Sequence, residues 1–157
     1  MDKPVSTDDE IVLRPAEITD IPKLVKLLHQ LYLIEPQFSP NSEKQKTGLM
    51  MCMDHPKLCL LLVAQVTDEI VAFANLQHSV STALGARSVH VDDFRVDENH
   101  RGKGIGTKLM EYAMKNAQQI GATRITVNVD LDNSQALSFY NRFNFISVNL
   151  LKHQRLL

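Results

Sequence analysis

Three short stretches of this 157-residue chain concentrate side chains that can do chemistry. The first is Arg101-Gly102-Lys103-Gly104-Ile105-Gly106, followed at once by Thr107 and a strongly periodic helix pattern. Glycines at every second position let a backbone pass close to a ligand with its N–H groups turned outward, and a helix start adds orphan N–H groups and the positive end of its dipole. With the cations of Arg101 and Lys103 beside them, these groups make an anion cradle whose natural guest is a diphosphate. Two other nucleotide loops fail on spacing. A GxxxxGK[ST] loop needs glycine at position 97, where Asp97 stands, and the dinucleotide pattern GxGxxG meets Thr107 in place of its last glycine. The second stretch is Asp92-Asp93, adjacent carboxylates on the strand that leads into the loop; by the two-residue period of a strand they face opposite ways, so only one reaches a cleft. The third is Asn133-Ser134-Gln135-Ala136 with Phe139-Tyr140-Asn141-Arg142-Phe143-Asn144-Phe145. Helix spacing alone makes Tyr140 a core aromatic.

The elements that position these residues read as follows. Residues 1–10 carry Asp2, Asp8, Asp9 and Glu10 with almost no large apolar side chain and are expected to fray. A domain over 11–157 then begins with a short strand at Ile11 to Arg14. Thr19 or Asp20 followed by Pro22 starts a helix with apolar residues at 21, 24, 25, 28, 31 and 32, broken by Pro36 and Pro40. A weaker helix runs over 42–53. Strands over 58–66 and 70–77, joined by Thr67-Asp68-Glu69, form a hairpin, and Arg87 to Val96 is a third strand. Three strands in a row without helices between them imply antiparallel neighbours. A helix opening at the glycine loop carries Ile105, Leu109, Ala113, Ala117 and Ile120 on one stripe and ends at Gly121. A strand over 123–129 and a helix capped by Asp132 or Asn133, which Asn144 leaves through a left-handed conformation, come next. A last strand or pair of strands fits into 145–157.

At this length roughly 70% of the unfolded chain's surface can be buried, so 44% apolar residues suffice for one core without staples. The longest apolar run, Leu58 to Ala64, is far short of the roughly 20 residues that cross a bilayer, and the N-terminus lacks the pattern of a secretory signal, so the expected address is cytoplasmic with no membrane partner. Seventeen Lys and Arg against eighteen Asp and Glu leave a charge of −1, without the excess that a nucleic-acid binder needs. Cys52, His55 and Cys59 offer three zinc ligands without a fourth, so no metal is expected and the cysteines are read as buried thiols.

Arg-x-x-Gly-x-Gly at 101–106, directly after a strand ending Asp93-Phe94-Arg95-Val96, resembles the acetyl-CoA signature of the GNAT superfamily of N-acetyltransferases. Asn133-x-x-Ala136-x-x-Phe139-Tyr140 with Phe145 is similar to that family's second block; Asn144 stands where the family usually has glycine. The resemblance implies a mixed α/β domain: a mainly antiparallel sheet of six to seven strands with about four helices, splayed open between the strand ending at Val96 and the strand beginning near Thr123. It implies that the backbone of Phe94, Arg95 and Val96 pairs with the pantetheine arm of coenzyme A. Arg101, Gly102, Lys103, Gly104, Ile105, Gly106 and Thr107 would hold the diphosphate, and Asn133 would contact the pantetheine or the adenosine side. Tyr140 would lie near the thioester sulfur, and Tyr32 and Glu35 over the acceptor cleft. The superfamily's habits also allow a homodimer.

Acyl transfer needs a neutral amine, yet a Lys-type amine with a pKa of about 10.4 is protonated at neutral pH. Asp92 is assigned to accept that proton and Asp93 to bind the substrate amine. A backbone N–H near Phe94 or Arg95 would steady the thioester oxygen if a bulge frees it, and Tyr140 would protonate the leaving thiolate. His90 and His100 are read as ordinary hydrogen-bonding residues. The expected activity is transfer of an acetyl group from acetyl-CoA to a primary amine of a small molecule or peptide in a ternary complex. The rivals are a non-catalytic coenzyme A sensor, an enzyme for longer acyl groups and, last, a nicotinamide-dependent enzyme.

Overall fold

The computed structural model describes residues 10–35 and 39–157. The frayed tail expected over 1–10 lies outside the described residues except for Glu10, and so does the helix break expected at Pro36. The chain divides into two bodies, Met1–Val127 and Asn128–Leu157. In the first, β1 (Ile11–Pro15), α1 (Ile21–Tyr32), α2 (Ser42–Asp54), β2 (Cys59–Val66), β3 (Glu69–Ser81), β4 (Ala86–Val96), α3 (Ile105–Gln119) and β5 (Ala122–Val127) follow one another. The strands form one sheet in the order β1-β2-β3-β4-β5. The first four are antiparallel neighbours, and β5 runs parallel to β4 because α3 carries the chain back between them.

The two faces of this sheet are covered by different helices, which explains why Leu61 to Ala64 are all buried although strand side chains alternate. Leu61, Val63, Ile70 and Phe73 pack with Ile21, Leu24, Leu27 and Leu28 of α1 and Leu49 of α2. Leu62, Ala64, Val71 and Leu76 face the other way, onto the Ile105, Leu109, Ala113 and Ala117 stripe of α3. The expected stripes of both helices are therefore their buried faces, whereas α2 has only Gln45 and Leu49 buried.

The second body holds α4 (Ser134–Asn141). Asn144 leaves that helix at φ +60°, as the sequence predicts. The six to seven strands expected become five among the described residues, since 145–157 forms no strand. Ile146, Val148 and Leu150 alternate as a strand would, but they are exposed, and alternation cannot make a strand without a neighbour to supply the ladder.

Of the two expected caps, Thr19 and Asp20, it is Asp20 that stands at the N-cap of α1, but its carboxylate makes no cap bond and is turned to a different task. Its Oδ2 and Oδ1 accept from Arg14 Nη1 and Nη2 over 2.7 and 3.1 Å, and the Glu17 backbone N–H donates to Oδ2 over 2.7 Å. Burial works against the charged form of Asp20; the guanidinium and the Glu17 N–H outweigh it and hold its pKa below the ordinary carboxylate value. The pair ties β1 to the turn before α1. Arg14→Leu strands a buried carboxylate and is expected to lower stability by about 2–3 kcal/mol at pH 7 in urea unfolding. Because the folded-state pKa is the lower one, this contribution is present above the unfolded value and lost on acidification, so the two proteins converge as the pH falls below about 4.

Candidate active site

β4 carries one residue more than β3 can match. Asn75 pairs with Asp93 and Leu76 with Val91, which leaves Asp92 as a bulge. The same point marks the end of the β4–β5 ladder: Val91 pairs with Val127, the last residue of β5, while β4 continues to Val96. From Asp92 to Val96, β4 therefore runs on without β5 beside it. Phe94 and Val96 are half-buried against the α3-side core. Arg95 is buried, and its Nε has no hydrogen-bond partner among the described residues; burial first, then the charge of Arg101, lowers its pKa.

Beyond Val96 the chain makes a short 3-10 turn, Glu98–His100, held by Asp97. Asp97 accepts from the Asn99 backbone N–H over 3.0 Å and from Gln30 Nε2 of α1 over 3.2 Å, while His100 Nδ1 lies 3.5 Å from its Oδ1. The loop root is therefore fixed to α1. Arg101 Nε donates to the Val96 carbonyl over 3.3 Å. Gly102 and Gly104 stand at φ +74° and +78°, where a side chain is strained, and a Cβ at either would meet no heavy atom within 4 Å. Gly104 is also the N-cap of α3, whose first intrahelical bond runs from Lys108 N to Gly104 O. The N–H groups before Lys108 have no partner within the helix. Arg101 and Lys103 are exposed here, Ile105 is buried in the core, and Gly106 and Thr107 are half-buried on the first turn. The result is open space bordered by amide donors and two cations.

On the other face of the sheet a cavity of about 390 Å³ lies between the strands and α1 and α2. Asn75, Gln77, Asp92 and Asp93 form its strand side. The bulge brings both aspartates to this cavity, whereas strict alternation allows one: the extra residue resets the side-chain phase. Asp92 is exposed and Asp93 is 7% exposed. Asp93 Oδ1 accepts from Tyr32 Oη over 3.1 Å and Oδ2 from Asn75 Nδ2 over 3.0 Å. Burial raises the Asp93 pKa and the charge of Asp92 adds to the rise, against the pull of Asn75 and Tyr32. Burial and then Asp93 push the Tyr32 hydroxyl upward in turn, with a further contribution from half-buried Glu35.

Asn75 and Gln77 were missed in the sequence, although a polar Asn75 beside an apolar run from Ile70 to Ala74 was a visible signal. Gly48 of α2 was missed too. It sits mid-helix without a positive φ, lines the cavity, and has nothing within 4 Å of its would-be Cβ. His90 and His100 have local partners, Thr126 Oγ1 at 2.8 Å and Asp97 respectively.

In the second body Asn133 caps α4, its Oδ1 accepting from the Ala136 N–H over 3.0 Å. That contact gives the N-x-x-A spacing a structural reason. Tyr140 is buried, its ring edge-on to Phe139 and Phe145 at 5.2 and 5.4 Å, and burial raises its pKa above the ordinary tyrosine value.

Residues 25–145 match the acetyltransferase (GNAT) family. Over 156 residues the chain is 27% identical to an N-alpha-acetyltransferase of Sulfurisphaera tokodaii, covering 92% of this chain and 85% of that one. A second N-alpha-acetyltransferase, from Sulfolobus acidocaldarius, is 35% identical over 82 residues, 52% of this chain and about half (47%) of that relative. Among solved structures, a possible acetyltransferase from Clostridium difficile 630 superposes with a TM-score of 0.83 at 18% identity over 94% of this chain and 97% of that one. An aminoglycoside acetyltransferase from a soil metagenome, in complex with sisomicin, gives 0.75 at 19% identity over 96% and 97%. At these identities the structures speak for the fold. Loop, split sheet and sequence agree: the chain belongs to the GNAT family of acetyltransferases and is an acyltransferase by that membership.

Proposed function

We propose that the enzyme moves the acetyl group of acetyl-CoA directly onto a primary amine of a small molecule or peptide, with an N-terminal α-amine as the favoured acceptor. The observation that carries this reading is that β4 runs on from Asp92 to Val96 without β5 and leads, through the Glu98–His100 turn, into the glycine loop and the start of α3. The residues present fit such a carrier. Open space before Gly102 and Gly104, the cations of Arg101 and Lys103 and the helix N–H groups suit a diphosphate, and the Phe94–Val96 segment suits an extended pantetheine arm.

Bound there, acetyl-CoA supplies an acyl carbon activated as a thioester. The chain's own groups manage protons and charge. One carboxylate of the Asp92–Asp93 pair takes the proton that keeps the amine from attacking, and a backbone N–H of the Phe94–Arg95 segment faces the developing negative charge on oxygen. Tyr140 gives its proton to the departing thiolate; this rests on the Asn133-to-Tyr140 motif and on a pKa that keeps the hydroxyl protonated. Cys52 does not suit a covalent acyl route. Burial and the neighbouring Cys59 push its thiol up to about 12, so the nucleophilic thiolate is scarce at neutral pH.

The favoured acceptor follows from the relatives' names and from acidity. An α-amine, with a pKa of about 7.7–8.0, has a sizeable neutral fraction at pH 7.5, while a lysine amine at about 10.4 has almost none. A modest carboxylate base therefore suffices.

Thiol release from acetyl-CoA against alanyl and seryl tripeptide amides, ethanolamine and putrescine tests the reading. Release with at least one amine supports it; acetyl-CoA binding without release across the panel marks a sensor instead. Tyr140→Phe is expected to lower kcat about a hundredfold with the KM for acetyl-CoA within about twofold of wild type, and equal turnover removes the acid role. Gly104→Val is expected to weaken acetyl-CoA binding about tenfold or more in calorimetry, because it strains the left-handed N-cap and fills the space before the amides.

A further inference from the structure

We propose that Asp93, not Asp92, takes the acceptor's proton, and that Asn75 with Gln77 behind it forms the positioning pair that holds the Asp93 carboxylate for that step. This rests on the acetyl-transfer reading above. A carboxylate has about four acceptor positions. Tyr32 and Asn75 occupy one on each oxygen of Asp93, which locks the group's rotation while its remaining capacity stays at the cavity it lines. Asp92, at the bulge, is exposed, and among the described residues no side-chain hydrogen bond orients its carboxylate as Tyr32 and Asn75 orient that of Asp93.

The hydrogen bonds behind Asp93 run in one direction only. Asn75 spends its amide nitrogen on the carboxylate, so its Oδ1 must accept, and Gln77 Nε2 donates to it over 2.9 Å. Gln77 Oε1 must then accept in its turn, and the Cys59 thiol donates to it over 3.2 Å. Each amide is thereby fixed in the one orientation that presents N–H toward Asp93. Packing alone does not call for this arrangement. Asn75 is 5% exposed in a strand whose buried residues from Ile70 to Leu76 are otherwise apolar, where apolar side chains would fill the space without desolvating amides. A polar pair kept at that cost next to a buried carboxylate is explained by the carboxylate's work.

The step balances simply. An N–H bond of the bound ammonium breaks and its proton passes to an Asp93 oxygen. The freed lone pair forms the N–C bond to the acetyl carbon as the C–S bond breaks; the thiolate takes the Tyr140 proton, the nitrogen sheds its second proton to restore that hydroxyl, and Asp93 returns the first proton to solvent, leaving amide and thiol. The titratable and charged groups around Asp93 are Asp92 on β4, Tyr32 on α1, Lys44 and Cys52 on α2, and Cys59 on β2. Two neighbours of Asp93, Asn75 and Asp92, give opposite signs when altered. Removing the Asn75 donor disfavours the charged carboxylate and moves its titration up, while neutralising Asp92 removes a like charge and moves it down.

The test is the pH profile of kcat/KM with acetyl-CoA and the amine of the tripeptide, ethanolamine and putrescine panel that releases thiol fastest. It is paired with carboxyl-carbon NMR titration of Asp93 in the protein alone. Asn75→Leu is expected to move the acidic limb and the Asp93 titration up by about one unit, Gln77→Leu by less in the same direction, and Asp92→Asn to move both down. Asp93→Asn is expected to lose the limb and about a hundredfold in kcat, with the KM for acetyl-CoA near wild type. An acidic limb that vanishes in Asp92→Asn, or stays in place in both Asn75→Leu and Gln77→Leu, overturns the proposal while leaving acetyl transfer intact. Should Asn75→Leu fail to fold, Gln77→Leu and Asp92→Asn decide the matter by their opposite shifts. Absence of thiol release with every amine, while acetyl-CoA still binds, overturns the acetyl-transfer reading itself, and this proposal with it.

Discussion

At Asp92 the fourth strand holds a residue that its antiparallel partner cannot match, and a strand so enlarged bends and twists more sharply. The bend falls where the parallel partner stops, so β4 enters the bulge paired on both sides and leaves it without β5. Two working surfaces depend on this one irregularity. One is the edge of β4 from Asp92 to Val96, which has no β5 beside it and leads toward the glycine loop. The other is the cavity on the α1–α2 face, where consecutive carboxylates appear on the same side because the alternation of the strand has slipped by one.

What keeps a bend of this kind from relaxing is the set of polar ties across it. Tyr32 and Gln30, both on α1, reach Asp93 and Asp97, at either end of the segment that lacks β5. Asn75 holds the same segment from β3. The Asn75–Asp93 bond is buried and the other two are partly buried, and breaking the buried one would leave an expensive orphan, so these ties specify the geometry more strongly than their net contribution to stability implies. The core beneath does the bulk stabilising, with α3 on one face and α1 and α2 on the other.

The parts of this protein that were legible in its sequence are those decided locally. The stripes of α1 and α3, the hairpin turn at Thr67 and the left-handed Asn144 follow from period and backbone preference, and the structure has each of them. The glycine loop was legible because Gly102 and Gly104 hold conformations that few other residues tolerate. What escaped was decided between distant segments. A bulge arises from the pairing of two strands, so no signal near Asp92 announced that its neighbour would share its side. Ile146, Val148 and Leu150 announced a strand by alternation, and the ladder to complete it never formed. Asp20 had the right place for a cap, but Arg14, brought over by β1, claimed its carboxylate. Asn75 and Gln77 could be seen as polar interruptions, yet their meaning depended on knowing that Asp93 lay across from them.

Gly48 divides the labour of the cavity in a way that bears on how this enzyme can change. A glycine in the middle of a helix costs about 1 kcal/mol relative to alanine, and here no turn or close backbone approach calls for it. The room it leaves belongs to the guest. On the reading proposed above, this wall is helical while Asp92 and Asp93 sit on the strand opposite, so a larger side chain at Gly48 would narrow the range of guests without touching those carboxylates, and would strengthen its own helix. Under that reading selectivity and proton removal would rest on separate elements, so a lineage carrying this fold could retune what it accepts in single-methyl steps while the carboxylates stand still.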